Sequence, residues 1–349
     1  MGKIRDNRHA VLLCVCYLAQ LVIAPAQPTG LGAAVLVLLF LLGTLVQLLL
    51  YRVLSRRRFF KSAAAAGLTA LLFCFVVGHD FVRAERFYRA VAARQLSFWW
   101  IIGCMLLIGW YAAHCGRETV LRAAQPVLAV LLLSLAVLAV TGSYRTEALA
   151  FLQPQKVPFL RAARLLLEYV CSTELLLWYC WNTHPHSPAA PESARTDGAQ
   201  VEQGGWSAVL WLRFIAASLV AVLGELALGA RAAHTPQIPG ELTMVSAGVD
   251  AGHGGAVYHC IWLTALAVRV CAHCCALDGL AQRVLPQRTV GVRLLLCGVL
   301  LVGTAILWEA LWRQDTLFWL CAAVLLFTAA AVIGGEKNGG DRHEKSLLR

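Results

Sequence analysis

The chain has 349 residues, 59% of them hydrophobic and 14% charged, with a mean hydropathy of +0.68. A soluble domain carries about 25% charged residues, so these figures exclude a soluble enzyme and point to a polytopic helical membrane protein. The net charge of +11 does not mark a nucleic-acid partner, because the basic residues fall in short stretches between apolar runs, where the positive-inside rule accounts for them.

In chain order, the apolar runs predict about ten spans: 10–25, 31–51, 62–82, 96–114, 122–142, 160–181, 206–230, 257–277, 291–311 and 316–334. Each approaches the roughly 20 apolar residues that cross a bilayer as a helix, the form that pairs every backbone group inside its own segment. The first run leads straight into this pattern, so no cleavable signal segment is expected. The third fades into a charged stretch from Asp80. The chain therefore reads as one membrane domain over 1–349, with spans one to six in 1–181 and spans seven to ten in 206–334. A polar loop at 182–205, rich in Pro, His and acidic residues, separates these groups, and a charged tail occupies 335–349. A Gly-rich stretch at 231–256 holds a further connection.

Most of the 30 Lys and Arg residues lie on one side of this arrangement, including Lys3, Arg5, Arg8, Arg56, Arg57, Arg58, Lys61, Arg283, Arg288 and Arg293. That bias predicts both termini in the cytoplasm. Of the 13 cysteines, Cys14, Cys16, Cys74, Cys104, Cys297 and Cys321 stand inside apolar runs. They read as small packing residues and not as a disulfide framework.

A charge inside a span is expensive and by default marks function. Five residues qualify: Glu168, Glu174, Arg213, Glu225 and Arg269. Glu174 follows Ser172 and Thr173 near the middle of span six, where consecutive polar side chains can satisfy backbone groups freed by a local break. Glu168 and Glu225 fall toward the outer interface, and Arg213 is placed to snorkel toward the inner surface. Arg269 lies deep in span eight, and its candidate partners across helices are Glu174 and Glu225. The run Cys271-Ala-His-Cys-Cys275 has a metal-like look but lacks a second ligand pair at zinc spacing. His253 and His259 read as interfacial. No phosphate-binding Gly-rich loop, zinc-protease helix or nucleophile elbow is present, so neither ATP-driven pumping nor classical hydrolysis is expected.

Span one is short and ends Ala24-Pro-Ala-Gln-Pro-Thr-Gly30, and span six is preceded by Gln153-Pro-Gln-Lys-Val-Pro158. If ten spans divide as five plus five, these are corresponding positions, which is the sequence mark of a mid-membrane transporter site.

Three stretches resemble the endospore germination permease family, the B subunits of bacterial spore-germination receptors. Tyr111-Ala-Ala-His-Cys-Gly-Arg-Glu-Thr-Val-Leu-Arg122 is similar to that family's tyrosine, Gly-Glu and Arg at the end of span four. Phe151-Leu-Gln-Pro154 with Pro158-Phe-Leu-Arg-Ala resembles its approach to span six, and Glu174 sits where the family has a Glu. Ser172-Thr173 stand in place of the family's aromatic–glycine pair, and span one keeps Pro25 without the family's glycines. The resemblance implies a five-plus-five inverted-repeat, transporter-like fold in the bacterial cytoplasmic membrane or spore inner membrane. It implies a small nutrient, such as an amino acid, bound at mid-membrane and lined by Ser172, Thr173, Glu174, Ala24 and Pro25. Binding would signal to other receptor subunits, with no cofactor and no catalysed reaction. A proton-coupled amino acid transporter is the nearest alternative. A ligand-free membrane scaffold, such as a viral envelope protein or assembly factor, is the alternative from another class.

Overall fold

The computed structural model describes residues 2–22, 31–55, 63–91, 98–142, 159–170, 174, 177, 203–228 and 253–311. The described residues form nine helices joined by short turns where a connection is described: α1 Gly2–Val22, α2 Ala33–Ser55, α3 Ala63–Val91, α4 Phe98–Cys115, α5 Arg117–Gly142, α6 Phe159–Val170, α7 Gln203–Leu228, α8 His253–Val284 and α9 Val290–Leu311. Five of them, α2, α5, α7, α8 and α9, are long and apolar enough to cross a membrane. Shorter apolar stretches lie in α1, α3 and α4. The class is thus an all-helical membrane protein. The span expected at 316–334 lies outside the described residues, as do the tail at 335–349 and the greater part of the loop at 182–205, which gives way to α7 at Gln203.

Several helices outrun their expected spans, among them α3 and α8. Helix α3 continues from Ala63 to Val91, although the sequence turns charged at Asp80. Asp80 does not end the span, because its side chain is buried in the bundle and paired there. Beyond it, Arg83-Ala-Glu-Arg86 are good helix formers. Helix α8 extends from His253 to Val284, past the expected 257–277.

Helix α8 is the hub, packing against α1, α3, α4, α5 and α9. Its apolar window is 67% buried, whereas those of α2 and α9 are 28% buried. On α2 the exposed residues Leu38, Leu42, Leu45 and Leu49 recur every three or four positions, a single stripe left for lipid. Helix α2 turns its other face to α6 and α7, and α9 lies along α3.

Local chemistry sets the turns. Gly116 (φ +88°) closes α4, its N–H donating to the Ala112 carbonyl at 3.0 Å, a left-handed cap that other residues adopt only with strain. Helix α5 starts at the next residue, with Glu118 in its first turn facing the positive helix end. At the α8–α9 turn, Arg293 donates to Asp278 at 3.0 Å and to the Arg288 carbonyl at 2.9 Å, clasping the two helices.

Gly78 fixes how closely α3 and α9 approach. A Cβ there would lie 2.6 Å from Thr304 Oγ1 and 2.9 Å from the Ala305 backbone nitrogen. The same approach lets Thr304 donate to the Cys74 carbonyl at 2.8 Å and Trp308 Nε1 to the Phe75 carbonyl at 2.8 Å. Gly78→Ala is therefore expected to destabilise the protein by about 1–3 kcal/mol through overpacking. Gly303→Ala on the same α9, where nothing lies within 4 Å, is expected to leave stability unchanged or slightly raised. Thermal unfolding of the two variants in detergent checks both.

Candidate functional site: a buried charge centre

Three charged side chains meet deep in the bundle. Arg269, in the middle of α8, is fully buried. Its Nε donates to Asp80 Oδ2 of α3 at 2.7 Å, and its Nη1 forms an ion pair with Glu174 Oε1. The same Nη1 donates to the Cys16 carbonyl of α1 at 3.2 Å. The guanidinium thus ties together α1, α3, α8 and the helical residue Glu174. Its planar fork of five donors suits this task better than an ammonium, because it can address several acceptors at once.

The surroundings exclude water. Asp80 is 4% exposed, and Glu174 and Arg269 are 0% exposed. Removing a charge from water costs several kcal/mol per ion unless opposite charge and hydrogen bonds offset it. Here, among the described residues, one guanidinium meets two carboxyl groups. Among the described residues, the buried Glu174 Oε2 has no hydrogen-bond partner. A buried oxygen of this kind is costly, and in native proteins it calls for an explanation such as a ligand or ion.

His273 stands one helical turn after Arg269, its Nδ1 2.8 Å from the Arg269 carbonyl. A carbonyl only accepts, so Nδ1 carries the proton in that contact. The imidazole also meets Phe73 edge-on, with centroids 5.2 Å apart. The metal-like run disperses over the helix surface: Cys271 Sγ approaches the Ile108 carbonyl at 3.7 Å and Cys275 Sγ the Ala112 carbonyl at 3.6 Å. Among the described residues, no group of three His, Cys, Asp or Glu residues could hold a metal ion.

A second polar cluster lies between α2, α6 and α7. Arg213 of α7 was expected to snorkel to the surface; instead it is buried. The reason is that partners are available inside. Its Nη1 donates to Gln47 Oε1 at 2.8 Å, and its guanidinium lies over the Tyr169 ring at 3.6 Å and the Tyr17 ring at 4.4 Å. Stacking of this kind stabilises a weakly hydrated guanidinium away from water. Gln47 Nε2 in turn donates to the Tyr169 and Val170 carbonyls at 3.2 and 3.1 Å.

Of the residues singled out from sequence, Glu174 and Arg269 are brought together, and Asp80 joins them. Glu225 lies on α7 and Glu168 on α6, but their side chains fall outside the described residues, as do Ala24, Pro25, Ser172 and Thr173 entirely. From sequence Asp80 reads only as the start of a charged stretch at the end of span three, and Gln47 is not singled out. Their signal was present in each case: an acid flanked by Val-Val-Gly-His and Phe-Val, and a Gly43, Thr44, Gln47 face at helical spacing.

Comparison with models of known protein families and with curated proteins gives no match.

Truncating Arg269 to Met leaves two carboxylates buried without their cation. The expected loss is about 3–5 kcal/mol of stability, the usual effect of breaking a buried pair from one side. Arg8→Ala, which removes the half-exposed Arg8–Glu118 pair (3.5 Å), is expected to change stability by about 1 kcal/mol or less. Denaturant unfolding of the two variants in the same detergent measures the contrast.

Proposed function

We propose that this chain is a membrane-embedded sensor for a small nutrient, of the kind formed by the membrane subunits of spore-germination receptors. The observation that carries this reading is the buried charge centre, where Arg269, Asp80 and Glu174 meet and one carboxyl oxygen lacks a partner among the described residues. A scaffold that only held helices together would gain as much from apolar packing, since buried ion pairs add little net stability. Charged groups kept inside a membrane bundle mark substrate or ion paths.

On this reading the fold is a ten-span, five-plus-five inverted repeat with both termini in the cytoplasm. Ser172, Thr173, Ala24 and Pro25 line the ligand site beside Glu174. The ligand, such as an amino acid, binds with its charged groups at mid-membrane. It shifts the balance between two arrangements of the bundle by binding one of them more tightly, the condition for any ligand-driven change. The bias then passes to partner subunits of the receptor, and no reaction is catalysed. A proton-coupled amino acid transporter is the second reading. It is favoured by the two carboxyl groups that share one guanidinium among the described residues, since a carboxyl group inside a bundle is a group that a proton carrier uses.

A thermal-shift screen of the purified protein against the common L-amino acids, with Glu174→Gln in parallel, tests the proposal. One amino acid is expected to stabilise the native chain, by about 2.7 kcal/mol at a hundredfold excess over its Kd, and to lose that effect in Glu174→Gln. Uptake into proteoliposomes then separates the readings: a sensor binds without accumulation, and a transporter accumulates. Absence of any shift across the screen overturns ligand binding by the isolated chain.

A further inference from the structure

The cluster around Arg213 adjoins the charge centre on two elements at once. Tyr17, whose ring lies under the Arg213 guanidinium, is the neighbour in sequence of Cys16, whose carbonyl accepts from Arg269. Tyr169, the other ring under Arg213, precedes Glu174 by five positions in the chain. The contact to this end of α6 is built in detail. Gln47 gives both amide protons to the Tyr169 and Val170 carbonyls while its own oxygen accepts from Arg213. The Thr44 hydroxyl donates to the Phe40 carbonyl at 2.8 Å, which leaves its oxygen to accept from Tyr169 Oη at 3.0 Å. Gly43 makes room for the ring: a Cβ there would lie 2.5 Å from Tyr169 Cδ1. Phe40 stacks on the same ring at 5.1 Å. Thr44, Gln47, Tyr17, Tyr169 and Arg213 are all buried.

Side-chain hydrogen bonds to two successive carbonyls restrain where that stretch of backbone stands, because both acceptors are then fixed by one amide. We propose that Gln47 and Arg213 are positioning residues for Glu174, and that α2 and α7 are the helices through which a change at the charge centre is felt. The second half rests on the reading of that centre as the ligand site. The first half does not. On this proposal a displacement of Glu174 from Arg269 is passed to Tyr169 five positions earlier, whose contacts are with Gln47 of α2 and Arg213 of α7.

Amide hydrogen exchange followed by mass spectrometry on the full chain in detergent tests this, with native protein, Gln47→Glu, Gln47→Leu, Arg213→Lys and Glu174→Gln. Gln47→Glu keeps an acceptor for Arg213 but cannot donate to the two carbonyls. It is expected to speed exchange about tenfold in the peptide carrying Tyr169 and Glu174 while the α8–α9 hairpin around Asp278 and Arg293 keeps its native protection. Gln47→Leu has the same effect on α6, and Arg213→Lys, which keeps the charge but loses the planar stack, has a smaller one. In the reverse direction, Glu174→Gln is expected to speed exchange in α2 near Gln47 and in α7 near Arg213. Unchanged exchange in the α6 peptide in both Gln47 variants overturns the positioning role, as does an equal rise in the α8–α9 hairpin, which marks general loosening. Unchanged α2 and α7 in Glu174→Gln overturns the coupling. None of these outcomes depends on a bound ligand, so a failed amino-acid screen and a failed positioning role are told apart.

Discussion

The pairing of Arg269 is the constraint on which the rest of the bundle depends. A guanidinium is always charged, and in the middle of an apolar helix it has no water to turn to. Its acceptors must come from other segments, and they do: a carboxylate of α3, Glu174 and a main-chain carbonyl of α1. This requirement sets where α1 and α3 stand against α8. It also explains why α3 passes its charged residue at Asp80 without ending. Asp80 belongs to the interior, and the helix continues to Val91.

Around this centre the apolar contacts follow simple rules. Small residues allow close approach, with Gly78 against Thr304 and Gly109 facing Cys274, where a Cβ would come within 2.7 Å of the sulfur. Such contacts matter more in a bilayer than in water, because lipid is as apolar as the helix surfaces and association relies on packing and hydrogen bonds. The buried thiols serve the same end. Cys271 and Cys275 face carbonyls of α4 and join α8 to that helix. Large residues such as Leu38, Leu42 and Leu49 are left on the outer stripe of α2. The polar core and the apolar periphery thus divide the work: charges select the arrangement of helices, and close packing holds it.

The helical membrane class was legible in the sequence because it rests on a coarse quantity, the length of apolar runs. Helices α2, α4, α7 and α9 fall within a few residues of the expected spans. The span at 316–334 and the break expected at Ala24 and Pro25 lie outside the described residues. The site was legible in part. Glu174 and Arg269 stood out because a full charge in an apolar run is conspicuous. Asp80 did not, since it borders the Arg-rich stretch 83–94 and reads as the end of a span. Arg213 was visible but misjudged: snorkelling is the default only when no partner lies within reach, and Gln47 and two tyrosine rings are partners that one-dimensional reading cannot supply. Pairing across helices is a three-dimensional fact, and separations of 189 positions between Asp80 and Arg269 or 166 between Gln47 and Arg213 leave no local trace.

The central claim is that Arg269 and Asp80 act as one unit in the bundle. A double-mutant cycle measures this most directly, with Asp80→Asn, Arg269→Gln and the double variant unfolded under one set of detergent conditions. The double variant is expected to be more stable than the sum of the single losses implies, by about 0.5–3 kcal/mol, the range seen for residues in one ion-pair network. Losses that add, within about 0.5 kcal/mol, would contradict it: the two residues would then be buried separately, and the charge centre would not be the interaction that organises the helices.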